Sequence, residues 1–244
     1  MVASREIRDG DRVFVGTGLP LIAGYVAQRR HAPHAVLIFE SGIIGASPRH
    51  LASGVGDFRL MTGSVMMSGL YYALSLLQRG RIDVGFLGGA QVDRYGNLNS
   101  TAIGDYRTPR VRLPGSGGAN DIASLAERVV ILMPHEPRRL VERVDYVTSP
   151  GFLRGGTARE EAGLVGGGPV RVITDLAVFS FDPLTRALRL DALYPGVSLR
   201  EVRERAGFAV DVAGPAAEVP PPSEEDVALL RDLDPDGIYL GRDP

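Results

Sequence analysis

The stretch Ala35-Val36-Leu37-Ile38-Phe39-Glu40-Ser41-Gly42-Ile43-Ile44-Gly45 decides the fold class. Its first five residues form an unbroken apolar run. A short run of this kind reads as a strand buried on both faces, the pattern of parallel sheets. The run stops at a carboxylate, Glu40, and the glycines that follow allow a tight turn or the close approach of another backbone. In open α/β sheets, ligands gather at the carboxyl ends of strands. A glutamate at such an end is well placed to act as a nucleophile or a base. A structural carboxylate that begins a loop and pairs with an arginine has the same local sequence, so both readings stand at this level.

Outward from this run, strand and helix patterns alternate. Arg12 to Val15 reads as a strand, Gly16-Thr17-Gly18 as a turn and Leu19 to Arg30 as a helix. Such a unit presents a helix N-terminus to an anion. The turn lacks the third glycine of a dinucleotide fingerprint, because Leu21 stands there, and this argues against nucleotide binding. Ser68 to Gln78 has helical spacing, with Leu70, Ala73, Leu74 and Leu77 on one face. Arg81 to Leu87, Val129 to Met133, Val170 to Thr174 and Ala177 to Phe181 read as strands, the last two joined at Asp175. Ser198 to Ala206 and Ser223 to Asp232 read as helices, each with a serine placed as an N-cap. The alternation predicts an α/β fold with an open, mostly parallel sheet flanked by helices. A single domain spanning 1–244 is expected, with no internal repeat.

Composition narrows the chemistry. The chain has 244 residues, a formal net charge of −2 and no cysteine, which excludes disulfides, a thiolate nucleophile and cysteine metal sites. All basic side chains are arginine, so a P-loop lysine and a Schiff-base lysine are also excluded. Basic and acidic residues are interspersed, which gives no footprint for nucleic acid. Met1 to Asp11 is charged and lacks the apolar core of a secretory signal. No stretch is apolar enough to span a bilayer. A cytoplasmic protein is expected.

The segment from Gly88 to Ala119 is poor in helix signals and rich in Gly, Asn, Thr and Pro, the mark of a functional loop system. Within it, Gly115-Ser116-Gly117-Gly118-Ala119 leads into a helix expected from Asp121 to Arg128. Consecutive glycines leave backbone N–H groups unshielded and able to point at one oxyanion, and a helix N-terminus adds to that field. Taken alone, the same string is an ordinary surface turn. His31, His34, His50 and His135 have no metal-ligand spacing and no acidic cluster, so no metal is expected. There is no G-x-S-x-G elbow for a serine hydrolase.

Taken in order, these strings resemble a known family. Val15-Gly-Thr-Gly-Leu-Pro-Leu-Ile22, Glu40-Ser-Gly42, Ser47-Pro48, Ser53-Gly-Val-Gly-Asp57, Gly88-Gly-Ala-Gln-Val-Asp93, Tyr95-Gly-Asn-Leu-Asn-Ser-Thr101, Ile103-Gly-Asp-Tyr106, Gly115-Ser-Gly-Gly-Ala-Asn120 and Asp145-Tyr-Val-Thr-Ser-Pro-Gly151 are similar to the β subunits of family I CoA-transferases, that of glutaconate CoA-transferase in particular. The likeness covers nearly the whole chain, with a less distinctive C-terminal third. It implies a CoA-transferase-type open α/β sheet and an active site completed by an α subunit, expected in an α2β2 assembly. It implies that Glu40 is the nucleophile and that Gly118, with Gly117 beside it, offers an N–H to the thioester oxyanion. Gly42, Gly88, Gly89, Gln91, Gly117, Ala119 and Asn120 are the expected substrate- and CoA-binding positions. Coenzyme A is then a substrate, moved between an acyl-CoA and a short carboxylic acid such as a dicarboxylate, with no tightly bound cofactor. Hydrolysis or decarboxylation of an acyl-CoA on the same scaffold, and a non-catalytic ligand-binding subunit, are the competing expectations.

Overall fold

The structure, a computed structural model, describes residues 1–241 apart from Thr17, Pro48, Arg49 and Val55, and only the backbone of Ala213. Thr17 of the first glycine turn, and Pro48 and Val55 of two matching stretches, therefore lie outside the described residues. The chain forms two compact units, one built from Met1–Phe86 and the segment from Pro222 onward, the other from Leu87–Pro221.

The first unit begins with β1 (Arg12–Val15), α1 (Leu19–Arg30) and β2 (Val36–Phe39). β1 and β2 are parallel, with Val13 opposite Leu37 and Val15 opposite Phe39. The apolar runs are buried as their composition requires: Val13, Val15, Leu37 and Phe39 are fully inaccessible. Removing one such side chain from water contributes about 1.5–3 kcal/mol. α1 lies on this sheet where Gly24 meets Leu37. A Cβ at Gly24 would stand 3.0 Å from the Leu37 side chain. β2 starts at Val36 because the Ala35 N–H is held in a turn by the Ala32 carbonyl. The chain then folds back through β3 (Ile43–Ile44) and β4 (Met66–Met67), both antiparallel additions. α2 (Leu70–Gln78) leads to β5 (Val84–Leu87), which is parallel to β1. The strand order is β5-β1-β2-β3-β4.

The second unit carries β6 (Gln91–Asp93), β7 (Leu98–Asn99), β8 (Ala102–Ile103) and β9 (Val111–Arg112), short strands within the glycine-rich segment. α3 (Ala119–Leu125) and β10 (Arg128–Leu132) follow, then β11 (Leu140–Val141), α4 (Ala158–Glu161) and β12 (Pro169–Ile173). β13 (Ala177–Phe181), β14 (Leu188–Leu193), α5 (Leu199–Glu204) and β15 (Asp211–Glu218) complete it. Its main sheet runs β10-β12-β13-β14-β15, with β10 and β12 parallel and the hairpins β12–β13 and β13–β14 antiparallel. β11-β6-β7 form a small sheet, and β8–β9 form a two-stranded arm.

The chain returns to the first unit with α6 (Glu224–Leu233). Ser223 caps it with a complete capping box, its hydroxyl accepting from Asp226 N–H and Asp226 accepting from Ser223 N–H. Arg29 and Arg30 of α1 reach Asp232, Glu225 and Asp226 of α6 at 2.9–3.3 Å. Parallel strands joined by helices, with antiparallel strands added outside them, make this the mixed, mostly parallel α/β architecture expected from the sequence. Among the described residues, no helix is long and apolar enough to cross a membrane.

Candidate active site

Glu40 is the first residue beyond β2 and is half-buried. It sits in a turn closed by the Gly42 N–H donating to the Phe39 carbonyl at 2.8 Å. Gly42 then takes φ +93°, and the Gly45 N–H returns to the Leu37 carbonyl at 2.8 Å. A glycine with positive φ after a tight turn is the usual way to bring a chain back into an antiparallel strand. The turn thus fixes Glu40 at the carboxyl end of a parallel strand. Val15 pairs with Phe39, so Gly16 and Glu40 are the next residues of adjacent parallel strands.

The same turn is clamped from the other side. Ser68 donates both its N–H and its hydroxyl to the Gly42 carbonyl, at 2.9 and 2.8 Å. A Cβ at Gly42 would stand 2.6 Å from the Gly69 nitrogen, so any side chain there would push the turn away from α2. Ser68 is bound in this way outside the helix, and α2 begins at Leu70. α1 and α2 both start at glycine, Gly18 and Gly69, with no capping side chain and no acid in the first turn. α2 thus starts beside the turn that follows Glu40, whereas α1 follows β1, the strand paired with β2. The Ser41 hydroxyl beside Glu40 is buried and has no hydrogen-bond partner among the described residues.

In the second unit, Gly88 and Gly89 follow β5 where backbone crowds in. A Cβ at either would stand 3.2 Å from a carbonyl oxygen, that of Leu132 or Asn99. Gln91 is buried with both ends of its amide used. Its Oε1 accepts from Asn99 Nδ2 at 2.7 Å and from the Asp145 N–H at 3.1 Å, and its Nε2 donates to Asp145 Oδ2 at 3.2 Å. Asp93 and Asn97, from the same motif, are internal braces. Asp93 accepts from the N–H groups of Tyr95 and Asn97 and from Asn97 Nδ2, while burial pushes its carboxyl pKa upward.

The Gly115–Gly118 loop is stitched to the arm below it. Gly115 N–H donates to Ser100 O, and the Ser100 hydroxyl donates to Gly115 O, both at 2.8 Å. Gly117 has φ +50°, and Gly118 is the buried N-cap of α3. Among the described residues, the N–H groups of Gly117 and Gly118 donate no hydrogen bond. The next amides are occupied: Ala119 N–H donates to Ser116 O at 2.9 Å and Asn120 N–H to Ser116 Oγ at 3.3 Å. The Asn120 side chain donates to the Thr148 carbonyl at 2.8 Å and holds the loop in place. α3 begins at Ala119, two residues before the expected start, because Gly118 already adopts the right-handed helical conformation.

One buried residue of the second unit left no sequence signal. Arg159 is fully buried, and its guanidinium donates to five carbonyls: Ala123, Ser124, Pro150, Gly151 and Gly166. Burial pushes its pKa down. It ties the C-terminal end of α3, the helix capped by Gly118, to the 150–151 turn. Its neighbours Gly155-Gly156-Thr157-Ala158 and Glu160-Glu161 read as an exposed charged segment, which hides it. No group of His, Cys, Asp and Glu among the described residues is arranged to hold a metal ion. His31 and His34 bind Ser4 O and Asp9 instead, and His135 is buried against Phe179.

Comparison with known proteins decides the family. The coenzyme A transferase family model matches residues 1–205. The chain belongs to the coenzyme A transferase family. Within that family it is 42% identical to the B subunit of 3-oxoadipate CoA-transferase from Pseudomonas knackmussii, over 96% of this chain and 90% of the relative. It is 41% identical to the B subunit of glutaconate CoA-transferase from Acidaminococcus fermentans, over 97% and 91%. The crystal structure of glutaconate coenzyme A-transferase from Acidaminococcus fermentans superposes with a TM-score of 0.93 at 39% identity, covering 100% of this chain and 95% of that one. The decarboxylase AibA/AibB has the same fold, with a TM-score of 0.84 at 29% identity over 98% and 93%. Membership makes this chain a coenzyme A transferase protein.

Proposed function

We propose that this chain is the catalytic β subunit of a CoA-transferase that moves CoA from an acyl-CoA to a short carboxylic acid, a dicarboxylate being the favoured class. The observation that carries the reading is Glu40, a half-buried carboxylate at the carboxyl end of a parallel strand, in a turn clamped by Ser68 just ahead of α2. The names of the 41–42% identical relatives, which concern 3-oxoadipate and glutaconate, support the dicarboxylate. Both of those relatives are B subunits of their enzymes, which supports an α-subunit partner. So does the exposed apolar run in the first unit, where Val65 is 81% and Tyr71 89% accessible beside Met66, Met67 and Leu70. An α2β2 assembly would cover it.

In this reading, the Glu40 carboxylate attacks the thioester carbon. The negative charge that develops on the carbonyl oxygen is met by the N–H groups of Gly117 and Gly118. Losing one such donor costs about 3–4 kcal/mol in the barrier. Collapse expels CoA thiolate and leaves an acyl-glutamyl anhydride. The thiolate then attacks the Glu40 carbonyl and releases the first acid as its carboxylate, which leaves a glutamyl-CoA thioester. The acceptor carboxylate attacks that thioester, a second anhydride forms, and thiolate attack on the new acyl carbonyl yields the product acyl-CoA and restores Glu40. The protein supplies no proton at any step.

Decarboxylation is the second reading, because AibA/AibB shares the fold. Four solved forms of that decarboxylase replace a cysteine, whereas this chain has none. Glu40 provides the nucleophile that transfer needs. The test uses the chain co-expressed with the α subunit. Thioester consumption should require an added carboxylic acid, and E40Q should lower transfer by several orders of magnitude with folding intact. Consumption that proceeds without acceptor, or carbon dioxide release untouched by E40Q, would point to hydrolysis or decarboxylation instead.

A further inference from the structure

One residue of the second unit reaches both ends of the loop that carries the open Gly117 and Gly118 amides. Thr148 is buried and lies far from that loop in sequence, within the stretch Asp145 to Gly151. Its own backbone is tied to β7. Thr148 N–H donates to the Leu98 carbonyl at 2.9 Å, and Leu98 N–H donates to the Ser149 carbonyl at 2.9 Å. Thr148 is therefore a fixed point for whatever it binds.

The Thr148 side chain serves the start of the loop. Its Oγ1 accepts from the Ser100 N–H at 2.9 Å and lies 2.7 Å from Thr101 Oγ1. Ser100 in turn exchanges two hydrogen bonds with Gly115, both at 2.8 Å. The Thr148 carbonyl serves the other end. It accepts from Asn120 Nδ2 at 2.8 Å, and the Asn120 N–H donates to Ser116 Oγ at 3.3 Å. Only Ser116 to Ala119 lie between the two anchored positions, and the two glycine amides are in the middle of that span.

We propose that Thr148 is a positioning residue for CoA transfer, setting where the Gly117 and Gly118 N–H groups stand relative to the thioester oxygen. The inference rests on the CoA-transferase reading above. Oxyanion donors act from about 2.7–3.1 Å. A displacement of about 1 Å can cost a hundredfold in rate. Gly115 and Gly117 take φ of +98° and +50° and have no side chains to wedge them in place, so the loop depends on its anchors. The Thr148 hydroxyl is the part of this arrangement that substitution can remove. Valine keeps the shape of threonine and leaves the Ser100 N–H without its acceptor, while the carbonyl anchor for Asn120 remains. Serine keeps the oxygen and loses the methyl group. A brace that contributed stability alone would leave turnover of the folded enzyme unchanged in both variants.

The test uses the complete complex with its partner subunit, an acyl-CoA and a carboxylic acid acceptor. T148V should lower kcat about tenfold to a hundredfold, while KM for acyl-CoA stays within about twofold of wild type. T148S should recover most of the lost turnover. S149A is the control. That neighbouring hydroxyl is also buried and has no hydrogen-bond partner among the described residues, so its removal should leave kcat unchanged. A T148V enzyme with wild-type kcat, or a T148S enzyme no faster than T148V, would overturn the proposal. Equal losses in T148V and S149A would overturn it too. If T148V does not fold, S100A decides. It removes the hydroxyl bond to the Gly115 carbonyl, and kcat should fall several-fold at unchanged KM, whereas wild-type turnover would overturn the proposal. A wild-type complex that consumes acyl-CoA without an acceptor and forms no CoA adduct on Glu40 would instead overturn the CoA-transferase reading on which the inference depends.

Discussion

At the scale of single residues, the site is set by where small and buried groups sit. Gly42 is required because its φ of +93° and the backbone of Ser68–Gly69 leave no room for a Cβ. His135 shows the cost of burying a titratable group. Its Nε2–H donates to the Val202 carbonyl, Nδ1 contacts Thr174 Oγ1, and the ring stacks on Phe179. Burial pushes its pKa below the usual histidine value, and the nearby Arg205 acts in the same direction, while the Val202 carbonyl, Asp175 and Glu201 oppose them. The folded chain therefore favours neutral His135. Its contribution is fully present above the unfolded value of about 6.5 and is lost as pH falls, because the unfolded chain takes up the proton first. Urea denaturation should give a lower unfolding free energy at pH 5.5 than at pH 7.5, with a shallower slope in H135Q. A stability independent of pH across that range would show that His135 protonates freely in the folded chain.

At the scale of elements, helix α3 connects stability to chemistry. Arg159 satisfies carbonyls at the C-terminal end of the helix whose N-terminus presents the Gly118 amide. Replacing Arg159 with methionine keeps the apolar stem and orphans the carbonyls of Ala123, Pro150, Gly151 and Gly166, while Ser124 O keeps the Gly166 N–H. Chemical denaturation should show a loss of roughly 3 kcal/mol or more. In the surviving folded fraction, kcat should fall more than KM for acyl-CoA rises. A variant with wild-type stability would show that water replaces the guanidinium without penalty. The elements differ in how plainly the sequence announces them. β2 and β13 are apolar runs whose burial matches their composition, and α5 and α6 begin at Ser198 and Ser223, whose side chains cap as expected. β14 alternates Leu188, Leu190 and Ala192 with Arg189 and Asp191, a period-two pattern overshadowed by its charges. β15 contains Gly214 and Pro215, which local propensity assigns to a turn, and it forms because β14 supplies its hydrogen-bonding partner. The glycine loops were legible as strings. The anchoring by Ser68, Asn120 and Arg159 was not, because each contact joins residues distant in sequence or hides a charge in the core.

At the scale of the whole molecule, the exposed apolar surface of the first unit gives the partner prediction. Val65→Asp combined with Tyr71→Arg introduces charge into the region proposed to meet the α subunit, without disturbing buried side chains. Light scattering of the co-expressed pair should show wild type as a hetero-oligomer and the double variant as separated subunits that have lost transfer activity. An intact complex in the double variant would place the interface elsewhere. In the proposed reaction Glu40 carries CoA during turnover. The most direct test is to incubate the complete complex with acyl-CoA and no acceptor, digest it, and weigh the peptides. A CoA adduct is expected on the peptide containing Glu40, removed by hydroxylamine and absent from E40Q. An adduct on a different residue, or acceptor-dependent transfer by an E40Q enzyme shown free of deamidation, would contradict that reaction.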